Sequence, residues 1–132
     1  MSVLDDLTQA YGVGPEATHQ ALARHLADEV EVRHEPAEPA DGVYPAAVVL
    51  QALAQRAELF TALMPDYAET GQVSQQGAEI TVDLVVSGTL ADGQRIEVAG
   101  VDVLTVREER IVRLLSRFSA EQMRPLLDAL AR

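Results

Sequence analysis

The chain has 132 residues, with 21 acidic side chains against 10 arginines and no lysine, a formal net charge of -11, and 48% apolar residues. That length and apolar content suit a single globular domain, residues 1–132, rather than a disordered chain. The acidity, with no basic stripe to offset it, excludes nucleic acid and anionic membranes as partners, and the lack of cysteine excludes disulfides, a thiolate nucleophile and cysteine-ligated zinc.

Taken in chain order, Ser2 to Tyr11 has the spacing of a short helix, with Val3, Leu4, Leu7 and Tyr11 on one side and a break at Gly12-Val13-Gly14. Pro15-Glu16 suits the first turn of a second helix, expected to reach about Ala27 with Leu22 and Leu26 inward. Val30 and Val32 then alternate with Glu31 and Arg33, which predicts a short strand leading to His34. Two prolines and a glycine between Glu35 and Gly42 leave only a loop there, rimming whatever His34 faces. Pro45 to Met64 is the longest predicted helix, its apolar stripe made by Val49, Leu53, Ala57, Phe60 and Met64, and Pro65-Asp66 stops it. The longest apolar run is far too short to span a bilayer and the amino terminus lacks the basic flank of a signal peptide, so a cytoplasmic protein is expected. From Tyr67 the period becomes two, predicting strands near 67–75, 79–90, 94–107 and 110–118, with hairpin turns at Ala91-Asp92-Gly93 and Glu108-Glu109. Ser119 caps a last helix, Ala120 to Ala131. Helices followed by an antiparallel meander predict an α+β fold, a curved sheet with the helices packed on one face.

One residue breaks the pattern. Asp102 lies in the strand-like run Ile96 to Val106, on the same face as Ile96, Val98, Gly100, Leu104 and Val106. A carboxylate buried bare is too costly, so Asp102 must find a hydrogen-bond partner, stay protonated or do chemistry. A pocket carboxyl with a raised pKa and a structural aspartate tying down backbone both fit these residues. Parity gathers Val82, Leu84, Val86, Val98, Asp102 and Leu104 on one face. Val112, Leu114, Ser116 and Phe118 join them from the last strand, with Leu53 and Phe60 of the long helix closing the face over. Val85, Val101 and Val103 point the other way and predict a homodimer through the convex face. Asp83 belongs to that interface or to solvent. His19 and His25 are not spaced to stack as paired ligands and no acidic partner completes a set, so no metal site is expected. Ser116 has no base at a spacing that would make it a nucleophile. Tyr44 and Tyr67 are open to two places, the lining of the mouth or, as the better fit, core or rim packing.

Several strings, in order, resemble the SnoaL-like and ketosteroid-isomerase branch of the nuclear transport factor 2 (NTF2-like) superfamily. They are L-A-D-E-V-E-V-R-H (Leu26 to His34), the loop ending at Gly42, M-P-D-Y (Met64 to Tyr67), and S-G-T-L-A-D-G-Q-R-I-E-V-A-G-V-D-V-L-T-V-R-E-E-R-I-V (Ser87 to Val112). The resemblance covers nearly the whole chain. It implies a cone-shaped α+β barrel with an open apolar mouth, commonly paired through the outer face of the sheet. It implies no single activity, because the superfamily includes isomerases, dehydratases, cyclases, epoxide hydrolases and non-enzymes.

The resemblance places Asp102 where ketosteroid isomerases keep a protonated acid in their oxyanion hole, a role borrowed from that well-known case. It places His34 where those enzymes carry a base carboxylate, and histidine as a residue type accepts and returns protons near neutral pH. The oxyanion-hole tyrosine belongs in the first helix, where Tyr11 is the only candidate and lies about a turn late. The arginine that limonene-epoxide-hydrolase-like enzymes need two residues before the aspartate is Gly100 here, and their final-strand aspartate is Ser116. Epoxide hydrolysis is therefore disfavoured and polyketide cyclisation weakened. The implied activity is cofactor-free proton transfer next to a carbonyl, as in an isomerase or cyclase. His34 and Asp102 would be catalytic, and Tyr11, Leu53, Phe60 and the strand residues above would bind a small apolar carbonyl compound. The alternative is a non-catalytic ligand-binding or dimerisation module.

Overall fold

Local capping chemistry sets where the first helices begin. In the computed structural model, which describes residues 2–131, α1 (Val3–Tyr11) starts at Ser2, whose hydroxyl accepts from the Asp5 amide at 3.1 Å. Pro15 opens α2 (Pro15–His25). The chain turns extended at Leu26, so this residue begins β1 (Leu26–Glu35) instead of closing the helix, and its side chain is still buried. A short strand that alternation had not revealed, β2 (Gly42–Pro45), follows the loop. It leads into α3 (Ala46–Leu63). Then come β3 (Ala68–Gln76), β4 (Glu79–Thr89), β5 (Arg95–Arg107), β6 (Arg110–Phe118) and α4 (Ala120–Leu130), the last capped by the Ser119 hydroxyl. No helix among the described residues is long and apolar enough to cross a membrane.

The six strands form one open sheet in the order β2-β1-β6-β5-β4-β3. Its last four strands are the expected antiparallel meander, but β1 lies parallel to β6, so the sheet is mixed. Alternation marks β1 as a strand and carries no information about its partner. The pairings align one row across the concave face: His34 opposite Ser116, Ser116 opposite Asp102, Asp102 opposite Val82, and Val82 opposite Val73. A bulge corrects the expected parity of β6. Thr105 faces Arg113 but Val106 faces Ile111, which leaves Val112 without a direct partner and puts Ile111, fully buried, into the core in its place.

Two apolar clusters fill the concave side. One gathers Leu7, Ala21, Val30, Val49, Ile80, Val82, Leu84, Leu104 and Ile111 between α1, α2 and the sheet; the other gathers Met64, Leu90, Ile96, Val98 and Leu126 under α4, and Phe118 touches both. Two glycines admit aromatic rings. A Cβ on Gly71 would stand 2.8 Å from the Tyr11 ring, and one on Gly100 would stand 2.4 Å from that of Phe118. Asp6 ties α1 to the end of α2, accepting two bonds from Arg24 and one from His25, all at 2.8 Å. The Arg24 guanidinium, with His25 adding to it against the effect of burial, lowers the Asp6 carboxyl to about 2.

The β5–β6 hairpin turns on Glu108 and Glu109, whose φ angles of 52° and 63° lie in the left-handed region. Side chains there cost about 1 kcal/mol each, which asparagine and glycine relieve. The double replacement Glu108→Asn/Glu109→Gly is expected to stabilise the fold by about 1–2 kcal/mol, a rise of several degrees in Tm by calorimetry. An unchanged Tm would show that the turn carries no strain.

Candidate active site

The long helix α3 is apolar over most of its surface, yet Val49 is its only buried residue among those described. Val48 and Leu59 lie 45% and 46% exposed on its outer side, while Leu53, Ala57 and Phe60 are half-buried beneath it. The helix therefore stands off the sheet instead of sealing it. The space left is a cavity of about 720 Å³. Its walls come from Tyr11 at the end of α1, from Thr18, His19 and Leu22 on α2, and from Leu53, Ala54, Arg56 and Ala57 on α3. Tyr67, Glu69 of β3 and Asp102 of β5 complete it from the sheet side.

Asp102 is the unusual group in this lining. Its Oδ1 is sealed from solvent and has no hydrogen-bond partner. Burial pushes the carboxyl up to about 6; the cross-strand Ser116 hydroxyl, Arg56 and His34 pull it back in part, and Glu69 adds to the rise. Tyr11, 8% exposed, is pushed well above the ordinary tyrosine range by its own burial and by the charges of Asp102 and Glu69. Its hydroxyl thus stays a proton-bearing donor. Burial and the adjoining Glu69 raise Tyr67 likewise, and its hydroxyl donates to Glu69 Oε2 at 2.7 Å.

His34 occupies a different environment. Its Nδ1 lies 2.6 Å from Asp41 Oδ1, and Asp41 Oδ2 accepts from the backbone amides of His34 at 3.1 Å and Glu38 at 3.2 Å. These bonds close the loop after β1, and the His34 contact is the main cause that lowers the Asp41 carboxyl. His34, Glu38 and Asp41 also bring three potential metal-ligand atoms within 4.8 Å of one another, an arrangement the same loop-closing bonds explain. Neither His34 nor Ser116 lines the cavity. Two strand spacings, about 10 Å, separate His34 from Asp102 along the row.

Of the residues singled out from sequence, Tyr11, Leu53 and Asp102 line the cavity. Val82, Leu84, Val86, Val98 and Leu104 do face the concave side, but they are buried beneath it, because α1, Met64 and Phe118 fill the cone there. Leu114, Phe118 and Phe60 pack partly buried against those clusters. The cavity also takes Tyr67, a residue open to a place at the mouth from sequence, and adds His19, Arg56 and Glu69, which sequence reasoning had not placed in a site. Only the spacing of Pro15, Thr18, His19 and Leu22 on one helical face hinted at the α2 wall.

No family model matches the sequence, and no curated protein matches it. Solved structures do match its fold. A proposed polyketide cyclase from Acidithiobacillus ferrooxidans superposes with a TM-score of 0.70 at 18% identity, over 94% of this chain and 92% of that one. An NTF2-like protein from Burkholderia xenovorans gives 0.62 at 18% identity, over 93% and 91%. The fold is NTF2-like. TerC, crystallised with polyporic acid, matches the fold with a TM-score of 0.68 at 14% identity, over 96% of this chain and 98% of that one.

The raised pKa of Asp102 links this site to stability. A carboxyl held at about 6 in the folded state against an ordinary 3.8 favours folding most when protonated, below pH 3.8. That contribution is lost as pH rises through about 6, and the difference amounts to roughly 3 kcal/mol. Asp102→Asn should therefore be more stable than the parent at pH 8, with the gain gone at pH 4. Urea unfolding at the two pH values checks this, and a pH-independent difference would show an ordinary, solvated carboxyl.

Proposed function

We propose that this protein performs acid–base chemistry next to the carbonyl of a small, mostly apolar molecule held beneath α3, in the manner of ketosteroid-isomerase-like and SnoaL-like enzymes. The observation that carries the reading is a buried carboxyl, Asp102, with no partner for Oδ1, lining a cavity that Tyr11 also lines. Below pH about 6 Asp102 carries its proton, and it and Tyr11 are then both donors. A ligand carbonyl accepting from them gains most as it becomes an enolate, because fixed donors in a dry site stabilise developing charge better than water does. The proposed polyketide cyclase of the same fold, and TerC crystallised with polyporic acid, support a small-molecule ligand. The proposal rests on this donor pair and not on His34, which stands outside the lining. That same exclusion favours a second reading, a ligand-binding module without catalysis.

Two probes separate the readings: 4-nitrophenol, a mimic of an enol, and 3-cyclohexen-1-one, whose conjugation on isomerisation is followed by ultraviolet absorbance. The enzyme reading expects binding of the first and conversion of the second. Asp102→Asn, which keeps a donor, should retain much of the activity, and Asp102→Ala should lose about a hundredfold or more. Binding without conversion by the parent would support the module. No effect of Asp102→Ala on either probe would sink both readings.

The convex face supports a homodimer. Val85 is 37% exposed there, beside half-buried Val101 and Val103, on neighbouring strands whose other face is the core. Sedimentation should show a dimer at micromolar concentration that Val85→Arg weakens; a monomeric parent would overturn this.

A further inference from the structure

We propose that His19 is the proton acceptor of this cavity, a role that rests on the acid–base reading above. His19 Nε2 lies 3.0 Å from the backbone carbonyl of Leu50 on α3. A carbonyl oxygen only accepts, so Nε2 carries the hydrogen, and the neutral ring keeps its lone pair on Nδ1. Nδ1 has no hydrogen-bond partner among the described residues and is not among the sealed atoms, and His19 lines the cavity. The bond to Leu50 fixes both the tautomer and the ring orientation, as a positioned general base requires.

The other basic groups are less well suited. His34 lies outside the lining. Glu69 is already engaged by the Tyr67 hydroxyl at 2.7 Å. Glu16 and Glu58 stand exposed at the rim, where water solvates their charge. The cavity then has donors, Asp102 and Tyr11, toward the sheet and an acceptor, His19, on its helical wall.

For a β,γ-unsaturated ketone the step balances without any co-reactant. His19 Nδ1 takes the proton from the carbon between the carbonyl and the double bond. The C–H electron pair forms a new C=C bond to the carbonyl carbon, and the carbonyl π pair moves to oxygen, held by hydrogen bonds from Asp102 and Tyr11. The imidazolium returns the same proton to the γ carbon as the oxygen pair reforms the carbonyl. The double bond ends in conjugation, and the protein regains its starting protonation.

A purely structural His19 would only tie α2 to α3, and His19→Gln separates the roles. A glutamine amide can still donate to the Leu50 carbonyl, but its oxygen is not a base. His19→Gln is expected to melt with the parent and to bind 4-nitrophenol within a few-fold, yet to isomerise 3-cyclohexen-1-one about a hundredfold or more slowly. In the parent, proton–nitrogen correlation spectra should show His19 as the neutral Nε2–H tautomer, with its Nδ1 resonance moved by 4-nitrophenol. A parental rate in His19→Gln, an Nδ1–H tautomer, or an Nδ1 resonance unmoved by bound 4-nitrophenol overturns the assignment. If Asp102→Ala is impaired while His19→Gln is not, the base fails and the acid–base reading stands. A parent that binds the phenol without converting the ketone overturns the base in favour of the binding module, and a parent that binds neither overturns both.

Discussion

The pairing of β5 between β4 and β6 is the constraint on which the rest of the structure depends. In its observed register, Ile96, Val98 and Leu104 point into the core and Glu97, Val101 and Val103 point out. A slip of one residue would exchange the two sets, exposing three apolar side chains and driving a glutamate into the clusters. Burying each apolar side chain contributes about 1.5–3 kcal/mol, so together they outweigh the roughly 3 kcal/mol that an ionised Asp102 costs. Asp102 is therefore carried inward by its neighbours. It is held without a partner for Oδ1 because the strand as a whole has nowhere better to go.

That misfit shapes what covers it. Asp102, Glu69, Tyr67 and Tyr11 line the space with polar side chains, and α3 stands off to leave the cavity. The helix is held at its end by fully buried Met64 and along its length by the bond between His19 and the Leu50 carbonyl. With one buried side chain in eighteen residues, α3 belongs to the less stable end of the structure, where covers over binding sites are drawn from. The site thus joins a rigid floor on the sheet to a loosely packed wall.

Much of this was legible in the chain itself. Strand limits followed from two-residue alternation to within a residue or two, because each strand from β4 onward buries one face and solvates the other. The inward parity of Asp102 followed from the same pattern, and the helix starts followed from Ser2, Pro15 and Ser119. These are local properties, set by neighbours a few residues apart. What only the tertiary structure decided is non-local. Alternation marks β1 but says nothing of its parallel partner β6, and the bulge that exchanges Val112 for Ile111 appears only against the facing strand. The loop bonds that turn His34 toward Asp41 depend on how residues 35–41 fold back. His19 enters the site only because α2 meets Leu50 across thirty-one residues of chain. Composition and periodicity determined which face of each regular strand turns inward; which residues end fully buried, and which of them share a cavity, was decided by long-range packing, which a single strand or helix does not encode.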